Sequence, residues 1–126
     1  MSRVFIIDDD PIHQRIAQIM IVKHLIFDEY SSFLDASKAL DYLESHCNTA
    51  EELPDVILLD LNMPGVDGWD FLNRYVALSS SINKDIKIFI VSSSVDEKDK
   101  LRAESYSNVK GFISKPLTPQ ILKTTL

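Results

Sequence analysis

Asp55-Val56-Ile57-Leu58-Leu59-Asp60-Leu61-Asn62-Met63-Pro64-Gly65 is the stretch that decides the fold. Its first half is apolar on consecutive residues, the pattern of a strand covered on both faces, and such strands belong to parallel sheets with helices on either side. Pro54 precedes it, and Asn62-Met63-Pro64-Gly65 closes it with turn chemistry. Outward toward the N-terminus, Val4-Phe5-Ile6-Ile7 is a second buried-strand run that ends in Asp8-Asp9-Asp10. Asp10 can then cap a helix with Pro11 in its first position, ending near Leu25, with Ile12, Ile16, Ile19 and Met20 as its apolar stripe. Phe27 to Phe33 is a more polar strand suited to a sheet edge, and Asp35 caps a second helix through Leu43.

Toward the C-terminus, Asp67 caps a third helix that carries Phe71, Leu72, Tyr75 and Val76. Ile86 to Val91 is the fourth strand and runs into Ser92-Ser93-Ser94, after which Asp96 to Tyr106 reads as a solvated helix. Val109 to Ser114 is the fifth strand, closed by Lys115-Pro116, and Thr118 with Pro119 opens a short last helix to Leu126. Strands alternating with helices predict an α/β fold with a doubly wound, five-stranded parallel sheet. No repeat or linker interrupts the pattern, so residues 1–126 are expected to form a single domain without an output domain.

The composition narrows the function. The chain has 126 residues and a formal net charge of -6, which disfavours a nucleic-acid surface, where Lys and Arg collect on one face. A single cysteine, Cys47, excludes an internal disulfide and fits a reducing, cytoplasmic setting. The apolar run before Asp8 is too short for a signal-peptide core, and Lys23 and His24 break the stretch from Ile19 to Ile26, so no membrane span is expected. Three glycines are too few for a dinucleotide or P-loop phosphate cradle. Gly65 and Gly68 are expected to serve the turn after Asp60, and Gly111 an unusual backbone before the fifth strand.

In an open parallel sheet, ligands bind beyond the carboxyl ends of the strands. Four of the predicted strands deliver polar groups there: Asp8 and Asp9, Asp60, Ser92, and Lys115. Three carboxylates brought together must hold protons or share a cation. Magnesium, a hard ion that takes one or two protein carboxylates and keeps several waters, suits Asp9 and Asp60 with a main-chain carbonyl from Asn62. Lys115 can pair with an anion beside that metal. A metal, a lysine and a hydroxyl around one carboxylate suit phosphoryl transfer, with Asp60 as the nucleophile. Ser92 lacks a base in this reading, because His13 and His24 fall on the first helix and His46 at the end of the second, so its role is to hydrogen-bond a phosphoryl oxygen.

Four separated motifs, Ile6-Ile7-Asp8-Asp9-Asp10-Pro11, Val56 to Gly65, Val91-Ser92-Ser93 and Gly111-Phe112-Ile113-Ser114-Lys115-Pro116, make the whole chain resemble the receiver domains of two-component response regulators. The resemblance implies the flavodoxin-like sheet order 2-1-3-4-5 of a stand-alone, CheY-like receiver. It implies that Asp60 takes a phosphoryl group from a sensor histidine kinase or a histidine phosphotransfer protein, with Mg2+ or Mn2+ as cofactor. Asp9 would be the direct metal ligand, Asp8 would act through water, and the Asn62 carbonyl would complete the set. Ser92 would be the switch hydroxyl, with Ser93 the alternative under a one-residue shift; Phe112 would be the aromatic switch and Lys115 the phosphate-pairing residue. A cis peptide bond before Pro116 is implied too. Phe112 carries no hydroxyl, so packing alone would register its movement, and the short last helix would leave a smaller target-binding surface.

The resulting expectation is a phosphoacceptor that signals through protein contacts, as a monomer or as a dimer once phosphorylated, and not a turnover enzyme. Two other classes compete. A haloacid-dehalogenase-type phosphatase pairs its nucleophilic Asp with a second Asp two residues on, but Asn62 occupies that place and cannot shuttle a proton. A receiver-like module that never becomes phosphorylated would have no need of the complete set Asp9, Asp60, Ser92 and Lys115.

Overall fold

A computed structural model of the protein describes residues 2–63, 65–93 and 96–126, so Pro64 of the expected turn and Ser94 of the serine run lie outside the described residues. The elements are β1 (Arg3–Ile7), α1 (Pro11–His24), β2 (Glu29–Phe33), α2 (Ala36–Ser45), a 3-10 turn (Ala50–Glu52), β3 (Val56–Asp60), α3 (Gly68–Ser79), β4 (Lys87–Ser92), α4 (Glu97–Glu104), β5 (Val109–Ser114) and α5 (Pro119–Thr124). All strand pairs are parallel and the order is β2-β1-β3-β4-β5, as the resemblance implies. The chain winds one way from β1 to β2 and the other way from β3 to β5, so the order reverses between β1 and β3. Register aligns the exits: Ile7 lies opposite Leu59, Asp60 opposite Val91, and Ser92 opposite Ser114. The residues that end four strands therefore reach one rim.

Alternation along the central strands feeds two cores. Phe5, Ile7, Ile57 and Leu59 pack with Leu40 and Leu43 of α2 and with Phe71, Leu72 and Tyr75 of α3. Val4, Ile6, Val56 and Leu58 face the other way onto Ala17 and Ile21 of α1 and Leu122 of α5. Helix starts follow the predicted positions: the side chains of the expected caps Asp10, Asp35 and Asp67, of Thr118 at the last helix, and of Asp96 at the head of the solvated helix each accept a first-turn N–H. At α3 Asp70 reciprocates to form a capping box. Leu25, in the left-handed region at φ 53°, ends α1 where expected. Ala103 is the buried residue of α4, which accordingly is solvated, and Trp69 is occupied by packing, with the Arg102 guanidinium 4.3 Å above its ring.

Three expectations need correction. The stripe Ile12, Ile16 and Ile19 faces outward at 69, 44 and 50% exposure, and the sheet-facing side of α1 is Gln14, Ala17 and Ile21. The cause is a polar inward residue: Gln14 Nε2 donates to the carbonyls of Ile6 (2.9 Å), Asp8 (3.0 Å) and Phe33 (3.0 Å), which a hydrophobic period cannot register. β2 begins at Glu29, because Phe27 is a buried core residue ahead of the edge strand. Gly111 has no left-handed backbone; a Cβ there would sit 3.0 Å from the Phe89 ring, so the glycine makes room across the irregular β4–β5 register. Among the described residues no helix is long and apolar enough to cross a membrane.

Candidate functional site

The rim above β1 and β3 collects the polar residues. Asp8 and Asp9 leave β1 and Asp60 ends β3, and one carboxylate oxygen from each lies within 4.8 Å of the other two. Two contacts fix this loop from below. The Asp8 N–H donates to the Phe33 carbonyl of β2 (3.1 Å), and Gln14 ties the Asp8 carbonyl to α1. The Asp8 carboxylate in turn accepts from the Asp10 N–H (2.9 Å). Gly68 opens α3 directly against the exit of β3. A Cβ at that position would meet the Asp60 carbonyl oxygen at 2.8 Å and Leu61 Cα at 2.8 Å, so only glycine lets the helix start so close to the acid.

Lys115 enters from β5. Its N–H donates to the Ser92 carbonyl (2.8 Å), and the Lys115–Pro116 bond that follows is cis. Its Nζ lies 3.2 Å from Asp8 Oδ2 and 3.6 Å from Asp60 Oδ2. Asp60 is 7% exposed, and burial raises its carboxyl above the ordinary value of 3.8; the charge of Asp8 raises it further, against the opposing pull of Lys115 and the Asn62 N–H. That N–H donates to Asp60 Oδ1 at 3.3 Å. Ser92 is the last residue of β4 and is 1% exposed, whereas Ser93 is exposed on the wall of a neighbouring cavity. Phe112 is half-buried on β5 opposite Ile90 and packs against the α2–α3 core.

Three hard oxygen donors within 4.8 Å fit a small divalent ion after slight closure, since bonds of about 2.1 Å place octahedral ligands roughly 3–4 Å apart. The positive end of Lys115 balances one of the three charges. A cation or a proton must balance more. A cavity of about 320 Å3 opens beside the acids, walled by Ile16, Ala17, Leu58, Val91 and Leu117 and reaching His13.

His13 was placed by sequence on the first helix and out of reach. Its Nδ1 in fact lies 3.0 Å from Lys115 Nζ and 3.5 Å from the Asp8 and Asp10 carboxylates. The available signal was positional: three residues after Asp10, in the first turn of a helix capped by that acid, a side chain points back over the loop it has just left.

The comparisons with known proteins identify the family. A family model described as the response regulator receiver domain matches residues 4–126. A probable methanogenesis regulatory protein of Methanothrix harundinacea is 37% identical over 93 residues, covering 73% of this chain and 57% of that protein. The chain thus spans little more than half the length of that relative, and half of a two-component response regulator of rice. The crystal structure of a two component response regulator from Cytophaga hutchinsonii superposes with a TM-score of 0.88 at 28% identity, over 99% of this chain and 93% of that one. A response regulator receiver protein from Dyadobacter fermentans gives 0.85 at 30% identity, over 98% and 94%. The family match runs from the first strand to the last helix, and the chain belongs to the response regulator receiver domains of two-component systems.

Proposed function

We propose that Asp60 accepts a phosphoryl group from the phosphohistidine of a histidine kinase or phosphotransfer protein. One observation carries the reading: Asp60 is a nearly buried carboxylate that shares a lysine with Asp8 and a candidate cation position with Asp8 and Asp9. An Asp60 oxygen forms the new O–P bond as the N–P bond of the donor imidazole breaks, and the imidazole takes up a proton as it leaves. Mg2+ or Mn2+ held at Asp9, Asp60 and the Asn62 carbonyl, with Asp8 acting through water, would offset the charge of the phosphoryl oxygens during transfer. Lys115 pairs with one of those oxygens, its ammonium already beside Asp60. Ser92 supplies the switch hydroxyl, and Phe112 repacks in response. The outward apolar residues Ile12, Ile16 and Ile19 lie on the helix that leaves the acidic loop, where a donor's own helix can dock.

The phosphatase alternative lacks its proton shuttle, because Asn62 stands two residues after Asp60. The protein is thus read as a phosphoacceptor that signals by protein contacts. Incubation with Mg2+ and acetyl phosphate, followed by intact mass measurement, tests it. A single added phosphoryl that is absent in Asp60→Asn is the expected result. Continuous phosphate release without an adduct would favour the phosphatase, and neither outcome would favour a binding module that is never phosphorylated.

A further inference from the structure

The Lys115 ammonium has two hydrogen-bond partners, His13 Nδ1 at 3.0 Å and Asp8 Oδ2 at 3.2 Å, and a looser ion-pair contact with Asp60 Oδ2 at 3.6 Å. The shortest of these distances is to the imidazole nitrogen. For the ammonium to donate to Nδ1, the ring proton must reside on Nε2. A side chain that is 44% exposed is not fixed there by core packing, so the lysine contact and the flanking Asp8 and Asp10 carboxylates account for where the ring sits.

We infer that His13 is a positioning residue that keeps Lys115 at the phosphoryl site while the carboxylates are engaged elsewhere. This rests on the receiver reading of Asp60. Asp8 and Asp60 belong to the same cluster that fits a divalent ion, so their oxygens cannot serve the metal and the lysine in full at once. Hard divalent ions of this kind prefer oxygen, which leaves the imidazole nitrogen to the lysine. Without His13, the flexible four-carbon stem of Lys115 would be free to turn its ammonium toward solvent as the acids are occupied. The lysine would then have to be recovered for each phosphoryl transfer.

The test compares wild type, His13→Leu and His13→Asn, the last keeping an acceptor close to the Nδ1 position. Each is treated in Mg2+ with a limiting amine-acylating reagent, and modification of Lys115 is quantified by peptide mass spectrometry against the exposed Lys38. Loss of one hydrogen bond to a charged group is expected to raise Lys115 modification in His13→Leu about fivefold, with His13→Asn near wild type. The acetyl phosphate concentration for half-maximal phosphorylation should rise in parallel and be restored by the same Asn variant. Equal Lys115 modification in wild type and His13→Leu, or an Asn variant that behaves like Leu, would overturn the role of His13. A wild type that takes no phosphoryl group would instead sink the Asp60 reading, and the labelling comparison would still decide on His13.

Discussion

The two ends of the sheet handle charge in opposite ways. At the end where the strands begin, Arg3 pairs with Glu29 and lies 3.6 Å from Glu52, while Lys84 lies 3.0 Å from Asp55 and also donates to the Ala50 and Leu53 carbonyls. The remaining Asp55 oxygen accepts the Arg3 N–H at 2.8 Å. At the end where the strands finish, Asp8, Asp9 and Asp60 crowd together, and Lys115 reaches two of them. At the first end two cations serve three acids and each of those acids has a cation partner. At the other end one lysine faces three acids and reaches two, a larger surplus that is stored demand for a cation or for a proton on Asp60. Paired charges hold a fold together; an unbalanced set is where binding energy becomes available to chemistry.

Removing the cation from the crowded end should have the largest effect. Lys115→Met leaves nearly buried carboxylates unpaired and is expected to lower stability in EDTA by about 3 kcal/mol in urea melts, with Mg2+ restoring more of it than it adds to wild type. Equal Mg2+ responses in the two proteins would show that lysine and metal do not share those oxygens. Asp60→Asn should act in the other direction, gaining on the order of 1 kcal/mol at pH 7 in EDTA. The sign follows from linkage: the folded state holds the Asp60 proton more tightly than the unfolded chain, so its ionisation costs stability as pH rises from below the ordinary 3.8 through the raised native value. The gain should therefore vanish in melts below about pH 3 and persist at neutral pH. Smallest is the change at the paired end, where Lys84→Met should cost about 0.5–1 kcal/mol and leave the Mg2+ response untouched. A Mg2+ response altered by that substitution would erase the contrast between the two ends.

Much of this was legible in the chain. The apolar runs before Asp8, Asp60, Ser92 and Lys115 mark where four strands stop, because continuous apolar runs and turn chemistry are local properties. Asp10, Asp35, Asp67, Asp96 and Thr118 announced their helices for the same reason. The face that α1 turns to the sheet was misread, since Ile12, Ile16 and Ile19 form the more apolar stripe and yet lie outside. Gln14 takes the inner place because three carbonyls at the ends of β1 and β2 need a donor, a demand created only when two distant strands pair.

The sequence by itself determined the sheet, the order in which acids, serine and lysine arrive at its rim, and Asn62 in the place where a phosphatase would need an acid. Tertiary structure alone decided that Gly68 must pass within contact of the Asp60 carbonyl, that Phe89 needs the space left by Gly111, and that His13 meets Lys115 from 102 residues away. The reason is one of range. Periodicity and capping act over a few residues, whereas hydrogen bonds and charge pairing depend on distances that exist only once α1 and β5 are packed against the same sheet.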